Sequence, residues 1–573
     1  MFVGKGKWVA ATLMVVILLL SGCGISTGSQ AESGIGKGGN PEAPEPEKTR
    51  EELQEERDQL EKERREELGV FYVPLPPFDE NPEPKTVTAK ALYVTANVAG
   101  MNFSEEDIAY YADYVRAVSG QSGKPADESR MADINKLEKI LGMCESTEIN
   151  ALVIDIKNDH GLVAWDSDIP FVDEIGSNWI TVIKDPEKLM SYLKSKGIYT
   201  IARIVAFKDP YFPTVRGEHA IQLKAGGVYL DKRGVAWVNP FDETVWKYVV
   251  AVSQEAALRG FDEIQYDYVR FPEGAAYYNS ITEFPGREGR DKDQGIEDFL
   301  KFARKELEPY PVHLSADVFG VITRSWDDKP DDIGQTWRLI ANQVEYTCPM
   351  IYPSHYGPNL YGFPVPDQHP YEVVRYALLE AIERNAAQQN PGIIRPWYQA
   401  FTASWIQGHI PYDAKAVSDQ IVAGAELGIE EYILWNASNH YDPMSLFYQE
   451  RINKNPQNPS GDAVGRNPKE ALTLYLESEK RNKNSQVYLL TPMKDRPADF
   501  DDFVRESEPL HLKLNSYEIL GILEGESGVY KARVNASYSS DQGKAELTGA
   551  TYRILSEKGV FKIQRPELEW VSE

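Results

Sequence analysis

The feature that most constrains this chain is a rhythm. From about Thr86 to Arg451, eight short runs rich in apolar, β-branched and aromatic residues alternate with longer amphipathic stretches. The runs are Ala89–Thr95, Asn150–Ile156, Tyr199–Phe207, Glu263–Tyr268, Val312–Phe319, Val344–Tyr352, Ile393–Phe401 and Tyr432–Asn436. Between them lie segments with helical spacing, among them Asn135–Cys144, Pro186–Lys196, Glu243–Arg259, Asp298–Glu308 and Ala414–Leu427. Strands that alternate with helices pair in parallel, because each crossover returns the chain to the same end of the sheet. Eight such units predict an α/β fold, a (β/α)8 TIM barrel. A doubly wound open sheet would carry a glycine-rich phosphate turn after its first strand. Ala96-Asn97-Val98-Ala99-Gly100 is no such turn.

The flanks follow other rules. Lys5 and Lys7 precede an uncharged apolar run, Trp8–Leu20. It is shorter than the about 20 residues that a bilayer-spanning helix needs, but it fits the core of a signal peptide. Leu20-Ser21-Gly22-Cys23 comes next and resembles a bacterial lipobox. The resemblance implies that residues 1–22 are a signal peptide and that Cys23 is the lipidated N-terminus. The mature protein would then be extracytoplasmic, held to the bacterial membrane through that lipid. Residues 23–86 are expected to be a tether. Gly24–Glu47 is rich in Gly, Ser, Pro and Glu, and Lys48–Leu68 is almost solid charge. Leu53, Leu60 and Leu68 are too sparse an apolar seam for a coiled coil, so a solvated helical spacer is expected there. Prolines at 74, 76, 77, 82 and 84 end it. The barrel is assigned to residues 87–452 and a polar linker to 453–467. Residues 468–573 are expected to form a small C-terminal α+β domain: a helix at Glu470–Lys480, then strand-like runs at Ser516–Glu524, Val529–Ser537, Lys544–Ile554 and Val560–Gln564. That order resembles cystatin-like or NTF2-like modules and implies an interaction or spacer role.

Composition excludes some classes. The net charge of −27 argues against nucleic-acid binding, which needs clustered Lys and Arg, and it disfavours electrostatic adhesion to anionic lipid. Besides Cys23 there are Cys144 and Cys348, without metal-ligand spacing. One disulfide is compatible with the count; two buried thiols is the reading taken. The eight histidines are scattered, and there is no HExxH pair, GxSxG elbow or P-loop. Neither a metal nor a cofactor is expected.

In a barrel of this kind the functional side chains sit where strands finish. Side chains alternate along a strand, so Asp267 shares a phase with Gln265, while Ile264 and Tyr266 take the other. Asp317 shares a phase with Ser315 and His313, and Asp155 is expected to share one with Lys157. Several strands ending with a carboxylate or its partner on the inward phase describe a polar pocket. Arg203 comes from the third run and Arg270 follows Asp267 closely, so Arg270 is expected to hold Asp267 ionised. Trp237, Trp397, Trp435 and Tyr352 offer flat aromatic faces, although core packing is the competing role for Trp237. Arg203, Gln399 and Asn436 offer hydrogen bonds.

Gly260-Phe261-Asp262-Glu263-Ile264-Gln265-Tyr266-Asp267-Tyr268-Val269-Arg270-Phe271-Pro272 resembles the fourth-strand signature of a bacterial family of glycoside-hydrolase-like TIM-barrel proteins, distantly related to the α-amylase and α-galactosidase groups. Supporting matches are Ala151–Lys157, Ala236–Pro240, Pro349–Pro353 and Ile433–Asn436, in order along residues 87–450. The resemblance implies a two-carboxylate glycoside hydrolase acting on a carbohydrate, with Asp267 as nucleophile. The relatives' acid/base is a glutamate ending strand five, where this chain has Asp317. Asp155, Lys157, Arg203, Arg270, Tyr352, Gln399, Trp435 and Asn436 are the expected substrate contacts. The rival class is a non-catalytic carbohydrate-binding or cell-wall scaffold lipoprotein on the same barrel.

Overall fold

The eight runs become eight strands: β1 (Lys90–Val94), β2 (Ala151–Lys157), β3 (Tyr199–Val205), β4 (Glu263–Asp267), β5 (His313–Phe319), β6 (Tyr346–Ile351), β7 (Trp397–Gln399) and β8 (Tyr432–Trp435). Each pairs in parallel with the next. β8 then returns to β1 through Lys90↔Tyr432, Ala91↔Ile433 and Leu92↔Leu434, which closes the barrel. The computed structural model describes residues 49–568 apart from 78–82, 122–126, 325–331, 448–461, 463–465, 482–486, 498–501, 504–511 and a few shorter stretches. The expected signal peptide, Cys23, the tether as far as residue 48 and most of the linker lie outside the described residues.

The helices start where the sequence supplies caps. Helix α1 (Arg50–Leu68) forms from the charged run and has no buried residue; Arg64 pairs with Glu306 at 3.0 Å, and Glu61 accepts Tyr72 OH and Leu75 N. β1 leads to α2 (Glu105–Val118) and α3 (Lys136–Ser146). Glu138 belongs to the capping box of α3 with Asn135, and its Oε1 also accepts Ser104 N at the start of α2. After β2 to β7 come α4 (Pro186–Ser195), α5 (Glu243–Leu258), α6 (Lys292–Leu307), the short α7 (Trp337–Ala341), α8 (Pro370–Ala386) and α9 (Ala414–Ala425).

Alternation sorts the strand residues as expected. Leu92, Leu152, Ile154, Ala202, Ile264, Tyr266, Leu314 and Ala316 join the apolar layer under the helices. Ala91, Tyr93, Val153, Tyr199, Ile201, Tyr346, Cys348 and Trp397 form a separate core inside the barrel. Its floor is polar. Arg395 binds both oxygens of Glu263 at 2.8 Å and reaches Glu431 Oε2 at 2.7 Å. Its guanidinium lies 3.5 Å from the Tyr346 ring centroid. Tyr199 OH donates to Glu263 at 3.0 Å. Cys348 is buried, Cys144 half-buried, and both are free thiols.

The alternation fails once. Across β2 and β3 Asp155 is opposite Arg203, but Lys157 is opposite Ile204, so Ile156 is an extra residue, a β-bulge.

The C-terminal part has its own core. Helix α10 (Pro468–Lys480), capped by Asn467 and Glu470, packs on an antiparallel sheet of β9 (Lys513–Glu524), β10 (Tyr530–Ser540), β11 (Gly543–Glu557) and β12 (Val560–Gln564). Leu472, Tyr475, Leu476, Val534, Tyr538, Tyr552 and Ile563 fill the space between. The sheet also touches the barrel. Val560 packs on Ala386 at the end of α8, Arg466 pairs with Glu383 at 3.0 Å, and Arg496 Nη2 donates to Ala387 O at 2.9 Å.

Candidate functional site

The carboxylates Asp155, Asp267 and Asp317 come together at the C-terminal ends of β2, β4 and β5, on the inward phase. The link between the first two is Arg203 of β3. Its Nη1 donates to Asp155 Oδ1 at 2.5 Å, while Nη2 and Nε both donate to Asp267 Oδ2, at 2.5 and 3.1 Å. This is a charge-assisted fork of the kind that carboxylate anions accept. Tyr93 OH closes the other side of Asp155 at 2.5 Å. Asp267 also accepts its neighbour's backbone, Tyr268 N to Oδ1 at 2.6 Å. Tyr268 sits at φ +49°, a left-handed conformation that is uncommon outside glycine. Such strain persists when the surroundings over-determine it; here the ring packs against Trp237 at 5.8 Å, and Lys208 and Arg270 each lie 4.9 Å from its centroid.

Asp317 is held differently. Oδ1 accepts the indole N–H of Trp397 at 2.6 Å, and Oδ2 is buried with no hydrogen-bond partner among the described residues. Burial first, then the negative charge of Asp267, push its carboxyl well above the usual carboxylate range, against the pull of Arg203 and Trp397. Burial also raises Asp155, against the pull of Arg203. Asp267 thus faces a cation and Asp317 a neutral donor.

The remaining expected residues divide. Tyr352, which is buried, packs against the half-buried Trp435, their centroids 5.7 Å apart, with Tyr93 6.1 Å from Trp435. Four expectations need correction. Arg270 does not pair with Asp267: its Nη1 donates to Phe271 O at 3.0 Å and its Nη2 meets Glu273 at 3.2 Å. The guanidinium is stacked near Phe319, 4.4 Å away, and the cation beside Asp267 is Arg203. Lys157 is carried off the pocket phase by the bulge at Ile156. Its ammonium pairs with Asp209 at 2.9 Å and donates to Val205 O at 2.8 Å, 5.7 Å from the Tyr248 ring of α5. Gln399 is spent on loop structure, donating to Asp367 and Phe401 O and accepting Ser354 N. Asn436 likewise donates to Ala400 O and His440 O and accepts from Ser438. Trp237 is buried, and its N–H is bound to Asp231, the packing role.

Three contributors were not singled out. Tyr93 lies on the inward phase of β1, which alternation identifies once that strand is placed. The N–H of Trp397 is a donor, where only its ring face had been considered. Gln335 holds the end of β5, with Nε2 to Asp317 O at 3.1 Å and Oε1 accepting Phe319 N at 2.9 Å, and Nε2 also reaches Val269 O beyond β4 at 3.5 Å; it comes from a loop, and no local pattern marks it. Among the described residues no three His, Cys, Asp or Glu side chains are grouped for a metal ion. Arg203 occupies the space between Asp155 and Asp267.

Residues 127–441 match the family model described as "Putative glycosyl hydrolase domain". No curated protein matches the chain. Among solved structures it is similar to a hypothetical protein from Ruminiclostridium thermocellum ATCC 27405, at 33% identity over 40% of this chain and 97% of that one, with a TM-score of 0.30. It is also similar to the PgaB (BpsB) glycoside hydrolase domain from Bordetella bronchiseptica, at 13% identity over 63% and 98% of the two chains, with a TM-score of 0.41. A third is the spore cortex-lytic enzyme SleL of Bacillus megaterium QM B1551, at 11% identity over 65% and 75%, with a TM-score of 0.33. The family match takes in β2 to β8 and all three pocket carboxylates, more than half of the chain, and the protein therefore belongs to this glycosyl hydrolase family.

Proposed function

We propose that this protein hydrolyses glycosidic bonds of a polysaccharide or oligosaccharide outside the cytoplasmic membrane, by a two-carboxylate mechanism. One observation carries the reading: neighbouring strands end in two carboxylates with opposite partners, Asp267 against Arg203 and Asp317 against an indole N–H. Asp267 attacks the anomeric carbon while Asp317 gives its proton to the leaving oxygen. Asp317, now ionised, takes a proton from the water that breaks the glycosyl ester, and Asp267 is released. Retention of configuration is favoured because β4 and β5 are adjacent, about 4.8 Å apart, and pair level as far as Tyr266↔Ala316, one residue before the two aspartates. Tyr352 and Trp435 supply the faces on which a sugar ring stacks.

The test is a panel of glycans offered to the full-length protein and to Asp267→Asn. Turnover should vanish in the variant while sugar binding survives. Full activity in Asp267→Asn sinks the assignment, and binding without turnover in the parent moves the protein to the non-catalytic class.

The same proposal includes an anchor. The charged start, the apolar run and Leu20-Ser21-Gly22-Cys23 support lipidation at Cys23 of a protein exported across the bacterial membrane. Cys23→Ala should block both lipidation and normal processing. Mass spectrometry that finds an unmodified mature N-terminus elsewhere rules the anchor out. The C-terminal helix and sheet serve as an interaction or spacer module.

A further inference from the structure

We propose that Trp405 forms a second carbohydrate subsite at the rim of the barrel, where a further sugar ring of the same chain stacks, so that the protein engages a polymer and not a single sugar. The proposal rests on the glycosidase reading above, because the path that makes Trp405 meaningful starts at those carboxylates.

Trp405 lies in the loop after β7 and is 65% exposed. A single exposed apolar side chain is ordinary; three observations set this one apart. The loop is held in shape. Ser404 N donates to Thr402 O at 3.1 Å, Ile406 N to Ala403 O at 2.9 Å, and Tyr412 N to Thr402 Oγ1 at 3.1 Å. The ring is also backed by Phe401, with centroids 6.0 Å apart and planes 16° apart, which fixes its orientation. And the backing ring continues inward. Phe401 meets Trp435 edge-on at 5.0 Å and Tyr352 at 6.0 Å, Trp435 meets Tyr93 at 6.1 Å, and the Tyr93 hydroxyl holds Asp155. A chain of packed aromatic rings therefore runs from Asp155 out to the exposed Trp405.

The occupant follows from chemistry. A pyranose ring has an apolar C–H face and a rim of hydroxyls, so it needs one flat aromatic surface with polar groups around it. Close to Trp405 along the loop, Thr402, Ser404, Gln407 and His409 are exposed and able to hydrogen-bond. A protein interface would need a broader apolar patch.

The experiment is affinity electrophoresis of the full-length protein through gels that each contain one polysaccharide: chitosan, xylan, hydroxyethylcellulose, dextran or soluble peptidoglycan glycan strands. Trp405→Ala is compared with the parent and with Trp179→Ala, a control at a ring that is 68% exposed and donates to Tyr211. At least one polysaccharide should retard the parent. Trp405→Ala should bind it about tenfold more weakly, the loss expected for one stacked ring, and Trp179→Ala should match the parent. Equal retardation of parent and Trp405→Ala overturns the proposal, and so does a parent that no polysaccharide retards. Retardation without hydrolysis of any glycan counts against the glycosidase reading alone and leaves the subsite standing.

Discussion

The indole N–H of Trp397 donates to Asp317 Oδ1 at 2.6 Å, from a strand two places round the barrel. That one neutral donor and the bare Oδ2 favour a protonated carboxyl. Asp267, on the neighbouring strand, receives two N–H groups of Arg203 instead. The proposed division of labour between acid and nucleophile rests on these partners.

Turnover should accordingly depend on a proton at Asp317. Its carboxyl is raised by burial and by the charge of Asp267, so activity should persist above the usual carboxylate range and fall as pH climbs through the raised value. Asp317→Asn should lose about 10²–10⁴-fold in turnover, least with leaving groups that need no protonation. A pH–rate profile of both proteins checks this, and an unchanged alkaline limb in the variant contradicts it.

The same aspartate should cost stability. Between its ordinary and its raised value the folded protein holds a proton that the unfolded chain has released, so the unfolding free energy falls as pH rises. The contribution is whole below the ordinary carboxylate range and is lost on passing the folded value. Asp317→Asn is free of that loss, and its stability relative to the parent should grow with pH. Urea unfolding at a series of pH values measures it; a constant difference would count against a buried neutral acid.

Arg203 should matter far more to folding than its position beside a pocket suggests. Arg203→Met leaves Asp155 and Asp267 buried without their cation, a loss of about 3–5 kcal/mol. Asp155→Asn in the same chain removes one of the two unpaired charges and should restore part of it. A double-mutant cycle with no coupling between the two positions would show that the fork is not formed in solution.

A chain ending at Asn455 should keep the barrel. The C-terminal module has a core of its own, yet it also covers Ala386, Ile382 and Leu379 and supplies Arg466 to Glu383. Truncation should therefore lower barrel stability by about 1.5–3 kcal/mol, the worth of burying a side chain such as Val560, without abolishing turnover. Calorimetry of the two lengths, with the glycan assay alongside, decides it; a truncated chain that aggregates would show the barrel to be incomplete alone.

Much of this was legible from the sequence, for an identifiable reason. Each barrel strand is buried on both sides and its outward phase is apolar, so a polar inward residue such as Asp267 stands out against Ile264 and Tyr266. The period of two then places Asp155, Gln265 and Asp317 without further information. Lys157 was misplaced because one extra residue at Ile156 breaks that period, and a bulge has no signature in a run of Ile and Val. Gln399 and Asn436 were overread because a polar side chain at a strand end serves a loop as readily as a ligand, and only the loop carbonyls of Phe401, Ala400 and His440 decide between them. Arg270 was preferred to Arg203 on closeness in sequence, whereas across a parallel barrel the neighbour that counts comes from the adjacent strand.

The ion pair of Glu263 and Arg395 at the barrel floor has a consequence for how the chain finds its shape. Eight short strands with apolar outward faces are similar partners, and a slip of one residue in β4 would exchange its inward Glu263, Gln265 and Asp267 for Ile264 and Tyr266. Such a slip would turn Glu263 towards the helices and leave Arg395 with Glu431 as its one carboxylate partner among the described residues, an error that a buried cation makes expensive. The floor thus works as a proofreading device: it lends little attraction to the correct alignment, and it shortens the life of every incorrect one.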